Sequence, residues 1–192
     1  MQKVGFTQVS VDHSVFVKRG PQGDAMVMIH VDDMAVAVSN KQTMTSIFND
    51  LRKIIDMVDM GDIHWFLGMA ITRDRQARTI SLSQRGFIDM ILKRFHMENS
   101  YSITTPLDPN VILSKSMSPT SDEEKQRMKS IPYLTGVGSL MYASLATRLD
   151  ITFATNKLSQ YNSNPGHAHW TALLRVLRYL KHTRNYALVL GG

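Results

Sequence analysis

The hydrophobic pattern changes period near residue 40, and this change restricts the fold more than any other feature. Residues 14–39 contain three apolar runs, SVFVKR, AMVMIHV and MAVAVS, broken by turns at residues 20–24 and near Asp32 and Asp33, which predicts three strands. From residue 44 to residue 58 apolar side chains recur at steps of three and four, which predicts an amphipathic helix with Asn40 as N-cap and Gly61 as stop. Strands before and helices after predict an α+β chain.

The rest of the chain continues this order. A second hairpin, HWFLGMAIT and RTISLSQ, raises the predicted sheet to about five strands. Beyond Ser83 the pattern predicts a helix near residues 87–95, a long loop at 99–121, and helices near 133–146 and 151–160. A last helix begins after Asn164 and Pro165, with a buried leucine stripe and a separate basic face. The final YALVL predicts a strand without an obvious partner.

Composition excludes several classes of protein. Hydrophobic residues make up 43% of the 192 residues and charged residues 20%, which is typical of a globular chain. The sequence has no cysteine, so a disulfide framework, a thiolate metal site and a cysteine nucleophile are excluded. No apolar run approaches the roughly 20 residues of a membrane span, and the first residues lack secretory or transit character. We therefore expect an intracellular protein without a membrane partner.

Charge is distributed unevenly along the chain. Residues 1–72 carry a formal net charge of −2 and residues 73–192 one of +8. An acidic half beside a basic half suits a protein that holds cations with one part and a polyanion with the other. The alternative is that the basic residues only solvate the helices.

Two adjacent carboxylates in the string IHVDDM are the most informative chemical feature. Asp32 and Asp33 lie at the tip of an apolar hairpin, where like charges repel and neither residue favours a strand. A divalent cation would offset that repulsion, because Mg²⁺ prefers carboxylate oxygens together with water and substrate phosphates. We expect Asp32 to face the metal more directly, since neighbouring side chains on a strand point to opposite faces. The alternative is that Asp-Asp simply forms a hairpin turn.

These residues resemble the catalytic hairpin of reverse transcriptases from copia-type LTR retrotransposons, in which the usual string is Tyr-Val-Asp-Asp. The resemblance covers nearly the whole chain, because further blocks occur in the order found in that family. GFTQVSVDHSVFVKR lies upstream of the aspartates, and the blocks downstream are MVDMGDIHWFLGMAI, ISLSQRGFIDMILKRF, TTPLD, YLTGVGSLMY, LATRLDITFATNKLSQY, HWTALLRVLRYLKHT and YALVL. His30 stands where the family usually has Tyr, and Leu149 where it commonly has Pro.

The resemblance implies a polymerase site in the first part of the chain. Asp32 and Asp33 would be palm aspartates and metal ligands, holding Mg²⁺ in a two-metal site of the complete enzyme. Phe66, Leu67 and Gly68, together with Trp65 before them, resemble the primer grip that positions the primer terminus. The alternative is that this string packs in the core, which is what we expect for Trp65. The partners implied are an RNA or DNA template-primer and a dNTP.

The resemblance also implies a nucleic-acid-binding thumb. Arg175, Arg178 and Lys181 would contact phosphates there, and solvation of a helix face is the alternative. The implied domains are the C-terminal part of a palm, with its antiparallel sheet and one packing helix, at 1–82, a helical thumb and connection at 83–185, and a strand leading toward RNase H at 186–192.

The family's fingers, third aspartate and RNase H domain have no counterpart in these residues. The sequence therefore predicts part of an RNA-directed DNA polymerase, inactive alone, located in a cytoplasmic particle or the nucleus and prone to self-association through an unpaired sheet edge. The alternative is a non-catalytic remnant that binds nucleic acid through its basic thumb or has no role.

Overall fold

The computed structural model describes all 192 residues, which divide into two compact units, Met1–Ile63 (unit 1) and His64–Gly192 (unit 2). The chain is α+β, with two antiparallel sheets and six α-helices. None of the helices has the length and apolar character needed to cross a bilayer. The division after Ile63 groups the second predicted hairpin with the later helices, whereas the domain limit expected from the resemblance was residue 82.

Unit 1 is a four-stranded sheet in chain order with one helix packed on it. Val27 lies at its centre and is fully buried, with Phe6, Ile47 and Leu51 around it. Met26 alternates with Val27 along the strand, lies on the other face of the sheet and is 50% exposed. The elements are β1 (Thr7–Gln8), β2 (Val15–Lys18), β3 (Ala25–His30), β4 (Asp33–Val38) and α1 (Lys41–Arg52).

Helix α1 begins where the sequence predicts and ends earlier. The Asn40 side chain accepts a hydrogen bond from the Thr43 backbone N–H at 2.9 Å, which confirms the N-cap. The prediction that the helix continues to residue 58 is wrong, because α1 ends at Arg52. β-Branched Ile54 and Ile55 are weak helix formers, and the aspartates that follow them would lie at the negative end of the helix dipole.

The prediction of one sheet with about five strands is also wrong, because the second hairpin belongs to a separate sheet in unit 2. Its strand order is β5-β6-β7-β8, all antiparallel. The last strand, for which the sequence indicates no partner, pairs with β7, and Leu82 lies opposite Leu188. The strands are β5 (Trp65–Phe66), β6 (Met69–Asp74), β7 (Thr79–Ser83) and β8 (Leu188–Gly191).

Five helices complete unit 2 around a leucine-rich core. Leu173, Leu177 and Leu180 of the last helix are fully buried, which confirms the predicted stripe. One short polar helix was missed, although its capping box, formed by Ser121 and Glu124, is a recognisable start signal. The helices are α2 (Arg85–Arg94), α3 (Asp122–Lys129), α4 (Tyr133–Ala146), α5 (Thr152–Ser159) and α6 (His167–His182).

Two buried aromatic side chains fasten the long predicted loop to the helices. Tyr161 Oη donates to the Leu113 carbonyl at 2.7 Å. His169 Nδ1 accepts from the Gly166 N–H at 2.8 Å, so Nε2 carries the proton and donates to the Ser114 carbonyl at 3.1 Å. Burial lowers the pKa of His169 and keeps the ring neutral, as this arrangement requires.

A buried arginine joins three parts of unit 2. Arg148 is 1% exposed and lies between α4 and a 3₁₀ turn at Leu149–Ile151. Its Nε and Nη2 donate to the two Asp150 carboxylate oxygens at 3.0 and 2.7 Å, and its Nη1 donates to the Thr183 carbonyl at 3.2 Å. Tyr179 Oη donates to Asp150 at 2.7 Å. Burial raises the pKa of Asp150, but the hydrogen bonds from Arg148 and Tyr179 outweigh it and leave the pKa below its ordinary value.

We expect Asp150→Ala to lower the free energy of unfolding by about 3–5 kcal/mol, because the substitution leaves a buried guanidinium unpaired. Asp122→Ala, which removes an exposed ion pair with Lys125, should cost no more than about 1 kcal/mol. Urea unfolding measures both, and equal losses would contradict the role given to Asp150.

The ion pair between Arg148 and Asp150 also predicts that the free energy of unfolding depends on pH. Because the folded-state pKa of Asp150 is depressed, its stabilisation is complete above the unfolded value of 3.8 and is lost as pH falls through the folded value. Between about pH 5 and pH 3 the parent should lose more stability than Asp150→Ala. Parallel urea titrations at the two pH values give the comparison.

Candidate functional site

The two predicted catalytic carboxylates lie together at one hairpin tip of unit 1. β3 and β4 pair up to His30 opposite Asp33, and Val31 and Asp32 form the two-residue turn between them. Asp32 and Asp33 are both exposed. The turn therefore presents two adjacent anionic groups to solvent at the end of an otherwise apolar ribbon.

The backbone of this turn is strained. Val31 has φ of +54°, in the left-handed region that β-branched residues rarely adopt. Its side chain is 84% exposed, so packing does not compensate for the strain. Such strain at an exposed tip is typical of functional turns, and the sequence did not indicate it.

The donor chemistry at this tip suits a hard divalent cation, but the ligand set is small. Neither carboxylate takes part in any ion pair of the chain. No cluster of three or more acidic, histidine or cysteine side chains is present that could hold a metal. Two carboxylates fit the protein share of a Mg²⁺ site whose other ligands are water and substrate phosphates.

The predicted primer-grip residues form a second tight turn, in unit 2. Leu67 and Gly68 connect β5 to β6 with φ of +50° and +74°, which is the sign needed at both central positions of a type I′ hairpin turn. Phe66 is buried, whereas Trp65 is 60% exposed. The expectation that Trp65 packs in the core is therefore wrong, because strand alternation directs Phe66 inward instead.

A tyrosine that the sequence analysis missed holds this second turn. Tyr142 Oη donates to the Leu67 carbonyl at 2.7 Å, and its ring meets Phe87 edge-on at 4.6 Å between centroids. A Cβ added at Gly68 would lie 2.8 Å from the tyrosine oxygen, so glycine is required by space as well as by φ. Tyr142 lies on α4, which is far from this turn in the sequence and contacts it only in the folded chain.

The three predicted phosphate-binding residues of α6 lie on one face and contact a segment of their own chain. Arg175 donates to Asp108 at 3.3 Å and to Thr105 at 2.9 Å. Arg178 lies over the Tyr101 ring at 4.5 Å, and Lys181 donates to the Ser100 carbonyl. All three are half-buried. Their contacts fasten residues 100–108 to α6.

Comparison with known families decides the lineage of the chain. The family model described as reverse transcriptase (RNA-dependent DNA polymerase) matches residues 1–109, which include both turns. The chain belongs to this reverse transcriptase family. Its relatives place it among the copia-type retrotransposon enzymes.

The chain spans only part of the length of the relatives that it matches. The chain is 39% identical over 193 aligned residues to a retrovirus-related Pol polyprotein from transposon TNT 1-94 of Nicotiana tabacum, covering 100% of this chain and 14% of that protein. It is 32% identical over 187 residues to the Pol polyprotein from transposon RE1 of Arabidopsis thaliana, covering 97% of this chain and 12% of the relative. A putative transposon Ty5-1 protein of Saccharomyces cerevisiae is 28% identical over 98% of this chain and 59% of its own length. No solved structure matches.

The strained φ of Val31 predicts the effect of Val31→Gly. Relief of the left-handed conformation is worth about 1–2 kcal/mol and the added backbone entropy costs about 0.5–1 kcal/mol, so the variant should be more stable by about 0.5–1 kcal/mol. Val11→Gly changes an equally exposed valine without a positive φ and should be destabilising. Thermal unfolding of both variants checks this, and a destabilised Val31→Gly contradicts the strain.

Because Tyr142 donates a hydrogen bond to the Leu67–Gly68 turn, we expect Tyr142→Phe to lower the free energy of unfolding by about 1 kcal/mol, the usual net value of one hydrogen bond. The amide protons of Leu67 and Gly68 should also exchange faster with solvent. Tyr101→Phe removes a hydroxyl without a hydrogen bond to the protein and should leave both measurements unchanged. Hydrogen exchange followed by mass spectrometry separates these outcomes.

Proposed function

We propose that these residues are the C-terminal part of the palm (1–82) and the thumb (83–185) of a reverse transcriptase, followed by a strand toward RNase H (186–192). In the complete enzyme they would serve RNA-directed DNA synthesis from dNTPs on a template-primer. The observation that supports this most is the pair of exposed, unpartnered carboxylates at the hairpin tip of a chain from this family.

Each site residue has a definite part in this proposal. Asp32 and Asp33 hold Mg²⁺, which when bound lowers the pKa of the attacking hydroxyl and neutralises phosphate charge. The Leu67–Gly68 turn, with Phe66 anchored behind it, positions the primer terminus through backbone groups that Tyr142 keeps in place. That Arg175, Arg178 and Lys181 contact phosphates stays a prediction, since their first partners are residues 100–108.

Polymerase activity requires more than these residues supply. A two-metal site needs a further acidic ligand, and no third acidic side chain lies with Asp32 and Asp33. The strand order leaves the outer edge of β4 unpaired beside Asp33. A further strand that carries a carboxylate can add at this edge, and the same edge supports the predicted self-association.

A second candidate is a nucleic-acid-binding chain without catalysis. The incomplete ligand set favours it, together with the formal charge of unit 2, which is +8 from 16 basic and 8 acidic residues. This candidate requires binding of nucleic acid but gives Asp32 and Asp33 no role.

We expect the isolated chain with Mg²⁺ to leave a DNA primer on an RNA template unextended. We also expect residues 1–192 to support extension when they replace the matching residues of the tobacco relative's polyprotein. In that chimera Asp32→Asn and Asp33→Asn should each lower extension at least about 100-fold, because metal neutralisation of charge is worth several kcal/mol. Radiolabelled dNTP incorporation measures all of these.

Asp24→Asn is the matched control, because Asp24 is exposed at the opposite end of the same hairpin. It should leave incorporation by the chimera unchanged. Extension by the isolated chain that disappears in Asp32→Asn would overturn the inactivity of the fragment. An active chimera that tolerates both Asn variants would overturn the catalytic proposal and favour the second candidate.

A further inference from the structure

The β6–β7 hairpin of unit 2 ends in an arginine-rich turn. Residues 75–78 form this turn between Asp74 and Thr79, which are the last paired residues. Arg73, Arg75 and Arg78 are all exposed, and none takes part in an ion pair. Three guanidinium groups are thus free to bind within six consecutive residues.

The only acid in this stretch is occupied by the turn itself. Asp74 Oδ1 accepts hydrogen bonds from the backbone N–H of Gln76 at 2.8 Å and of Ala77 at 2.9 Å. The carboxylate is therefore directed at the backbone of the turn, and no arginine of the hairpin is paired with it. The turn therefore carries a net positive charge, and the backbone N–H groups of Gln76 and Ala77 are hydrogen-bonded within the turn.

The terminal strand β8 pairs with β7 at the base of this turn. Gly191 of β8 lies opposite Thr79 and has φ of +91°. A Cβ added at Gly191 would lie 2.2 Å from the Arg78 carbonyl oxygen, so the close approach of the two backbones depends on this glycine. Arg78 itself has φ of +56°. The arginines are therefore presented by a braced hairpin, which lowers the entropy lost on binding.

Two other basic surfaces of unit 2 are less available. The exposed cations of α3 follow Asp122, Glu123 and Glu124 in the same helix, and Lys125 pairs with Asp122. The α6 cations are half-buried against residues 100–108. The hairpin turn is thus the densest group of exposed cations without paired acids.

We propose that Arg73, Arg75 and Arg78 form the main phosphate-binding contact of unit 2, and that their ligand is the sugar-phosphate backbone of a nucleic-acid duplex. This inference rests on the proposed nucleic-acid function and assigns it to residues outside α6. Planar guanidinium groups bind phosphate oxygens in a bidentate manner, and no base-reading element accompanies them. Binding is therefore independent of sequence and strongly dependent on salt.

The test measures binding of the full chain to a fluorescently labelled RNA–DNA hybrid by anisotropy, from about 50 to 200 mM salt. The variant Arg73→Gln, Arg75→Gln, Arg78→Gln should lower the slope of log affinity against log salt by about 2 to 3 in magnitude, and the affinity near 100 mM salt about 100-fold. The matching lysine variant, which keeps the charges, should retain most of the slope.

The matched control is Lys125→Gln, Arg127→Gln, Lys129→Gln on α3, which removes the same three charges from another exposed surface. Its slope should stay within about 0.5 of the parent value. If the hairpin variant is misfolded by circular dichroism, Arg75→Gln alone in the turn should lower the slope by about 0.9.

The outcomes separate the two proposals. Binding by the parent with equal slopes for the hairpin and α3 variants would overturn the assignment to the hairpin but keep nucleic-acid binding. Absence of salt-dependent binding by the parent would overturn both the assignment to the hairpin and the proposed binding of nucleic acid.

Discussion

The hydrogen bonds of the buried Arg148 guanidinium fix how the ends of two helices meet in unit 2. A charge removed from water is tolerated only when its partners are fixed around it, and here one carboxylate, one backbone carbonyl and the Thr183 hydroxyl supply them. Because Asp150 lies on the short turn after α4 and Thr183 follows α6, the ends of the two helices cannot separate without breaking hydrogen bonds that compensate this charge. The leucine core gives unit 2 its stability, and this ion pair fixes the way in which its chain ends meet.

The charged side chains of α6 have partners within the protein, whereas those of the two hairpin turns proposed as ligand sites do not. On α6, cations are used to attach a loop, and Arg175 finds a carboxylate and a hydroxyl within its own unit. At the β3–β4 turn two carboxylates have no protein partner, and at the β6–β7 turn three arginines have none. These exposed charges are solvated and remain available to a ligand of opposite charge, which is what the proposed metal site and the proposed phosphate contact have in common.

Local patterns predicted the parts of the fold that depend on neighbouring residues. The sequence correctly predicted the strands β2 to β4, the N-cap at Asn40 and the leucine stripe of α6. Strand alternation, helix capping and helical spacing each depend on residues only a few positions apart. The position of Asp32 and Asp33 at a hairpin tip follows in the same way.

Features that depend on distant residues could not be predicted. A helical wheel places Arg175, Arg178 and Lys181 on one face, but it does not tell whether solvent or another segment covers that face. Tyr142 contacts Leu67 across a sequence separation of 75 residues, for which no local signal exists. The strain at Val31 is equally hidden, because valine is an ordinary strand residue until its φ is known.

The pairing of β8 with β7 has a consequence for biosynthesis. The strands of unit 1 follow one another along the chain, so this unit has short loops to close and can form as soon as its residues leave the ribosome. In the second sheet β5, β6 and β7 also pair with strands near in sequence, but the fourth strand, Leu188–Gly191, is made after every helix of unit 2, and closing so long a loop is slow. The edge of β7 therefore stays unpaired in the nascent chain throughout the synthesis of α2 to α6.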